Sequence, residues 1–182
     1  MHKLHLVLVE PRIPQNTGSI ARTCAVTGAA LHLVHPLGFR IDDAKLKRAG
    51  LDYWDKLEIL HHESIDAFFA AYPSAAQQNA MFYFTAKTGR LYTEAVYPEE
   101  TFLLFGREDL GLSDALLAAH PERCVRIPMR ETLRCLNLSN SAAIAAYEVL
   151  RQHDFAGLTR DGRMAKSAWE PEEPRSFDIS QI

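Results

Sequence analysis

Six short apolar runs, separated by stretches of helical character, fill the first 150 residues and leave little choice of architecture. Residues 4–9, 31–35, 57–61, 81–85, 101–105 and 124–127 read as strands. Several are apolar at nearly every position, the pattern of strands buried on both faces of a parallel sheet. Helices are expected between them. One runs over 17–27, capped by Asn16 and ended by Gly28. A short basic helix lies over 42–49, and another, with Ala67, Phe68, Ala71 and Tyr72, is opened by Ser64 or Asp66. Residues 113–120 form a helix with a serine cap, and 138–152 form the longest. Strands alternating with helices give an α/β fold, a mostly parallel sheet with helices on both faces.

The chain has 182 residues, enough for one domain with its own core. Residues 1–155 are expected to form it, and 156–182 a tail, docked by Trp169 and Phe177. Its last stretch, residues 170–182, is acidic: Glu170, Glu172, Glu173 and Asp178 stand against Arg175 alone, which accounts for the whole net charge of −3 and leaves residues 1–169 neutral. A neutral body gives no global attraction for nucleic acid, so such a site must rest on a local patch. The three cysteines are far apart and form no C-x-x-C pair, which argues against a disulfide framework or a cysteine zinc site. The histidines look scattered, with His32 and His35 on opposite faces of one strand and His61 and His62 pointing apart, so no metal is expected. The first residues are too soon charged for a signal peptide, and no apolar run is long enough to span a membrane. A reducing cytoplasm is the expected compartment.

Polar detail collects just past the strand ends, where open parallel sheets bind ligands. Three segments stand out. Asn16-Thr17-Gly18-Ser19-Ile20-Ala21-Arg22 can be a cap followed by a surface arginine. Residues 104–113, Leu-Phe-Gly-Arg-Glu-Asp-Leu-Gly-Leu-Ser, have the glycine spacing of a phosphate loop. Leu112 stands where its lysine belongs, and Glu108 and Asp109 would repel a triphosphate. A plain strand-to-helix turn and a backbone-lined pocket both remain open there. The third segment runs from Ile127-Pro128-Met129 to Asn137-Leu138-Ser139-Asn140 and into an alanine-rich helix, whose slim face admits another backbone. No G-x-G-x-x-G follows the first strand and no G-x-S-x-G occurs, which disfavours a Rossmann site and an esterase.

Taken in order, these segments resemble the SPOUT-class RNA ribose methyltransferases. Within that class they are most similar to the single-domain tRNA wobble-nucleotide 2′-O-methyltransferases, the TrmL/YibK group. Gly38-Phe39, Asp42-Asp43 and Arg48-Ala49-Gly50-Leu51-Asp52-Tyr53 add to the likeness, which covers residues 4–153. The resemblance implies a C-terminal deep trefoil knot, a homodimer and an S-adenosylmethionine pocket lined at Phe84, Gly106, Ile127 and Cys135. Cys135 stands where many relatives have serine, so a backbone contact there is better founded than a side-chain one. The resemblance also implies a reaction centre of Arg22, Asn16 and Asn137, with Glu108, Ser139, Tyr147 and Arg107 toward the substrate.

A guanidinium holds its proton too tightly to be an easy base, so Arg22 is expected to bridge the substrate phosphate and the reacting ribose. Tyr147 could stack on a base or simply pack. Arg12, Arg22, Lys45, Lys47, Arg48, Arg107, Arg126, Arg130 and Arg134 fall in or near the same loops and could meet RNA phosphates. Without an added RNA-binding domain, the natural substrate is an exposed single-stranded loop such as a tRNA anticodon stem-loop. The alternatives are ribose methylation of another RNA, such as ribosomal RNA, and a non-catalytic RNA-binding protein on the same fold.

Overall fold

The first strand, β1 (Lys3–Val9), lies at the centre of the sheet, with hydrogen-bonded neighbours on both sides. The structure, a computed structural model, describes residues 3–40, 57–130 and 135–159. The expected basic helix over 42–49 lies outside the described residues, as do the tail from 160 onward and Lys45, Lys47, Arg48 and Arg134.

The other strands are β2 (Ala30–Val34), β3 (Ile59–His62), β4 (Met81–Phe84), β5 (Glu100–Phe105) and β6 (Cys124–Val125). They form one sheet in the order β3-β2-β1-β5-β4-β6, and every pairing is parallel. All positions of β2 and β4 are buried, His32 of β2 included, as in strands covered on both faces. The first expected strand ends agree with the structure to within two residues. The last strand is shorter than expected, because Arg126 leaves the ladder to bridge Leu91 instead.

The helices are α1 (Pro14–Thr27), α2 (Ile65–Ala71), α3 (Pro73–Gln77), α4 (Asp114–Ala119) and α5 (Leu138–Gln152). Ser64 caps α2 by accepting the Ala67 N–H at 3.1 Å, which decides between the two candidate caps. Ser113 caps α4, Asn137 caps α5, and Gly28 closes α1 in the left-handed conformation at φ 74°. The start of α1 differs from the expectation. Its N-cap is Ile13, with Pro14 in the first turn, and Asn16 sits inside the helix. Pro14 has no N–H to satisfy and a preset φ, so it opens the helix earlier than a polar cap would.

One face of the sheet packs α1 and α5, through Ile20, Ala21, Cys24, Ala142, Ala145, Ala146 and Val149. The other packs α2, α3 and α4, through Phe68, Ala75 and Leu117. Ala142, Ala145 and Ala146 of α5 are fully buried, and small side chains there let α1 and α5 approach each other and the strands beneath. Burial of the Cys24 thiol in this layer pushes its pKa up to about 12. Past α5, Phe155 and Leu158 still pack against the same core, so the folded body extends slightly beyond the helix.

Enlarging the slim face of α5 should be resisted. Ala145→Leu is expected to destabilise the fold by about 1–3 kcal/mol, the usual cost of overpacking a filled core, measured by urea denaturation.

Candidate active site

β1 leads outward to β2 and β3, whereas β4, β5 and β6 lie on its other side. The loops leaving the ends of β1 and β5 therefore part, and a crevice opens between them. A cavity of about 790 Å³ occupies this position. Its wall comes from Ile13 and Asn16 of α1, from 84–87 after β4, from 105–112 after β5, from Ile127 and Met129 after β6, and from 135–138 with Ser141. The three segments singled out in the sequence meet here.

Phe84 and Phe105 stack at the floor, with ring centroids 4.8 Å apart. Gly106 follows at once. A Cβ on it would lie 2.1 Å from the Gly111 carbonyl carbon and 2.2 Å from the Leu112 nitrogen. The 106–112 turn thus closes on its own start, and only glycine leaves room. Gly111 has φ 71°, and its N–H donates to the Arg107 carbonyl at 2.8 Å to lock the loop.

Glu108 points back to α1. Its Oε2 accepts the Arg12 N–H at 2.8 Å, and its Oε1 accepts the Ile13 N–H at 3.1 Å and the Asn16 Nδ2 at 2.9 Å. The carboxylate therefore sits at the start of α1, where the helix dipole favours negative charge. Asn16 Oδ1 in turn accepts from Asn137 Nδ2 at 2.9 Å. Asn137 Oδ1 accepts from the Ser139 N–H at 2.9 Å, the Ser139 hydroxyl at 2.6 Å and the Asn140 N–H at 3.4 Å. One unbroken chain of side chains links the β5 loop, α1 and α5, spanning 92 and 121 residues of sequence in two steps.

The expected site residues divide into two groups. Phe84, Gly106, Ile127 and Cys135 all line the cavity, as do Asn16, Asn137, Glu108 and Arg107. Ser139 braces Asn137 from behind. Arg22 and Tyr147 lie elsewhere, on the exposed faces of α1 and α5. Six residues separate Asn16 from Arg22, about 9 Å along a helix axis. Gln15, Ser19, Arg22 and Val26 make one exposed stripe, and Asn140, Ile144, Tyr147 and Arg151 another.

The charges at the rim are mostly committed. Arg107 holds Asp109 with two hydrogen bonds, of 2.9 and 2.7 Å, and Asp109 is pulled below the usual carboxylate range chiefly by them. Arg12 bonds Glu10 at 3.2 Å. The expected cationic patch is thus interleaved with carboxylates. Lys87, which the sequence reading passed over, lines the cavity and pairs with Asp114. It stands three residues past the end of β4, and the strand-end rule applied to that loop would have found it. Among the described residues no cluster of three or more His, Cys, Asp or Glu is arranged to hold a metal ion, and no helix is long and apolar enough to cross a membrane.

A model of the SpoU rRNA Methylase family matches residues 3–147. The chain belongs to this family. A relative from Geobacillus stearothermophilus is 52% identical over 160 residues, covering 86% of this chain and 99% of its own. It carries the provisional name tRNA (cytidine(34)-2′-O)-methyltransferase. A solved structure described as giving insight into 2-OH methylation of C/U34 on tRNA superposes with a TM-score of 0.78 at 44% identity, covering 85% of this chain and 98% of that one. The SpoU methyltransferase AviRb from Streptomyces viridochromogenes, solved in complex with AdoMet, shares the fold, with a TM-score of 0.74 at 24% identity. It is matched over 84% of this chain and 58% of its own. This SpoU-family chain is accordingly a methyltransferase, and the α/β parallel-sheet expectation holds.

The Glu108 tie generates a prediction. Glu108→Gln replaces one acceptor oxygen with an NH₂ group facing N–H donors. It should lower stability by about 1–3 kcal/mol, the range for a buried donor left unsatisfied, read from urea unfolding curves.

Proposed function

We propose that this chain transfers the methyl group of S-adenosylmethionine to the ribose 2′-hydroxyl of nucleotide 34, cytidine or modified uridine, in the tRNA anticodon loop. The observation that carries the reading is the strand-end cavity, into which all four expected cofactor residues project from four separate segments. The 44–52% identity to proteins named for this reaction supports the choice of substrate.

The cavity suits such a cofactor. Its volume falls within the usual range for small-molecule sites. The lining joins an aromatic floor to backbone groups of the 106–112 turn, a surface for an adenine ring and its hydrogen-bonding edge. Phe84, Gly106, Ile127 and Cys135 hold the cofactor, with Cys135 acting through its backbone. When bound, the cofactor supplies an electrophilic sulfonium methyl group. The protein then has to place one ribose hydroxyl in line and help it ionise. Asn16 and Asn137 shape the reaction centre through their shared hydrogen bond, and Glu108 keeps both in register. Arg22 lies outside this cavity, on the outer face of α1, so in this reading it bridges the substrate phosphate and the reacting ribose at the cavity of a second copy, lowering the cost of developing negative charge on oxygen.

Arg22 and Tyr147 lie on the outer faces of α1 and α5, alongside exposed Val26 and Ile144. This arrangement supports a homodimer that covers those stripes and pools the cations of two copies. Tyr147 then handles substrate at the edge of that interface. The return of the chain from the sheet edge at β6 to Asn137 beside Asn16 supports threading of α5 into a trefoil knot. Residues 1–155 are taken as the domain and 156–182 as its tail, with Leu158 packed back against the core. The cytoplasm is where such a tRNA would be met.

The test is methylation of tRNA and of ribosomal RNA in separate reactions, followed by mapping of the modified nucleotide by mass spectrometry. A methyl group on the ribose of nucleotide 34 is expected. Transfer to ribosomal RNA alone overturns the substrate, and absence of S-adenosylmethionine binding by calorimetry leaves the non-catalytic RNA binder. Arg22→Ala should abolish transfer while cofactor affinity stays unchanged. Loss of cofactor binding in that variant would make Arg22 structural.

A further inference from the structure

Four side chains form a diagonal line across four adjacent strands, on the face of the sheet opposite α1 and α5. Lys3 pairs with Glu100, His5 lies two residues beyond Lys3, Val7 pairs with His32, and Val34 pairs with His62. Each step of two residues keeps the side chains on one face, so Glu100, His5, His32 and His62 share it. The contacts follow the line. His5 Nδ1 lies 2.9 Å from His32 Nε2, and His32 Nδ1 lies 3.0 Å from His62 Nε2. His5 Nε2 is buried without a hydrogen bond, and a Glu100 oxygen stands 3.5 Å away, within ion-pair range. His32 is fully buried, and His5 and His62 nearly so. Phe102 stacks on His5 at 4.0 Å, and Phe68 meets His32 and His62 edge-on.

A neutral imidazole has one donor and one acceptor nitrogen. Two inter-histidine bonds among three neutral rings can run in only two directions. In one, every N–H is on Nε2: His62 donates to His32, His32 to His5, and His5 turns its N–H toward Glu100. In the other, every N–H is on Nδ1, and a lone pair of His5 faces the carboxylate. Glu100 selects the first direction.

We propose that Glu100, His5, His32 and His62 form a single proton-accepting relay, which takes up one proton at His62 and holds the charge on His5 beside Glu100. The proton binds His62 Nδ1. The Nε2 proton of His62 passes to His32 Nδ1, and the Nε2 proton of His32 passes to His5 Nδ1. No net atom is gained beyond the one proton. His62 and His32 end neutral with N–H on Nδ1, His5 ends as imidazolium, and both inter-ring hydrogen bonds are remade in the opposite sense. A second proton has no such place, because two N–H groups would then face each other. The relay is therefore an acid-sensitive two-state element built into the sheet.

The surrounding charges agree. Lys3 opposes a proton on His5, whereas Glu100 and Glu58 favour it. His61 opposes one on His62. His61 itself faces His35, at 3.1 Å, and Glu63. The Tyr72 ring packs within 6.1 Å of all three histidines and is held neutral by burial and by Glu58 and Glu100. Burial, with His5 and His62 on either side, pushes His32 down to about 3, so the charge does not rest in the middle. Burial also lowers His5 and His62 below the ordinary value of 6.5. The unfolded chain binds protons below 6.5 that the folded one resists, so stability falls as pH drops from there.

Nitrogen-15 NMR of the histidine rings in the full-length protein, titrated downward from neutral pH, tests the relay. At neutrality His5, His32 and His62 should all carry N–H on Nε2. On acidification one shared uptake should turn His5 into imidazolium and switch His32 to Nδ1–H while it stays neutral. His32 found with N–H on Nδ1 at neutrality, three independent imidazolium titrations, or unfolding with no uptake would each overturn the proposal. Glu100→Gln keeps an acceptor but loses the charge. The proton affinity of the relay should then fall about tenfold, one pH unit, and an unchanged affinity would show that the charge does not settle on His5.

Discussion

The carboxylate of Glu108 is the contact on which the site depends. It reaches from the loop after β5 to the backbone N–H groups of Arg12 and Ile13 and to the Asn16 amide. Those groups would otherwise lie unsatisfied at the start of α1, at the edge of a cavity. By binding them, Glu108 positions α1, and through Asn16 it positions Asn137 and the start of α5. Each side chain in the series is held at both ends, so none can turn without breaking two partners. That is the rigidity a reaction governed by placement needs.

The backbone contribution is equally specific. The 106–112 turn can curl onto itself only because Gly106 has no Cβ, and Gly111 adopts a conformation that other residues avoid. This brings backbone groups to the cavity wall and turns the Glu108 carboxylate toward the start of α1. An acidic residue in a loop that must face an anionic substrate is then no contradiction. Its charge is taken up by the Arg12 and Ile13 N–H groups and the Asn16 amide, and that of Asp109 by Arg107.

Much of this was legible in the sequence, for identifiable reasons. Strands buried on both faces announce themselves as apolar runs, so the parallel sheet, its six strands and the extent of α5 follow directly. The convergence of Asn16, residues 105–112, Ile127 and Asn137 follows from their places just past strand ends. Asn16 does not cap the helix because Pro14 opens it two residues earlier, and its side chain is instead tied to a residue 92 positions on, which local spacing cannot reveal. The histidines looked scattered for a related reason. In a parallel sheet, lateral neighbours come from different crossovers, so His5, His32 and His62 meet only once register is known. Register also explains why His35, on the opposite face, is excluded and pairs with His61 instead.

The two polar systems of the molecule contrast in one respect. The Glu108–Asn16–Asn137 series is made of amides and a carboxylate whose donors and acceptors are fixed by chemistry, so it has one arrangement. The histidine line is made of rings that can exchange donor for acceptor, so it has two, of opposite polarity and differing by one proton. The first lies at the C-terminal ends of the strands, where substrate must be placed reproducibly. The second is diagonal across the opposite half of the sheet, sealed by Phe68, Tyr72 and Phe102. Neutral histidines can fill a core there because the four inner nitrogens pair within the line and only its two ends, His62 Nδ1 and His5 Nε2, do not. At the second of these ends, His5 Nε2 stands 3.5 Å from a Glu100 oxygen, the carboxylate that would balance its charge.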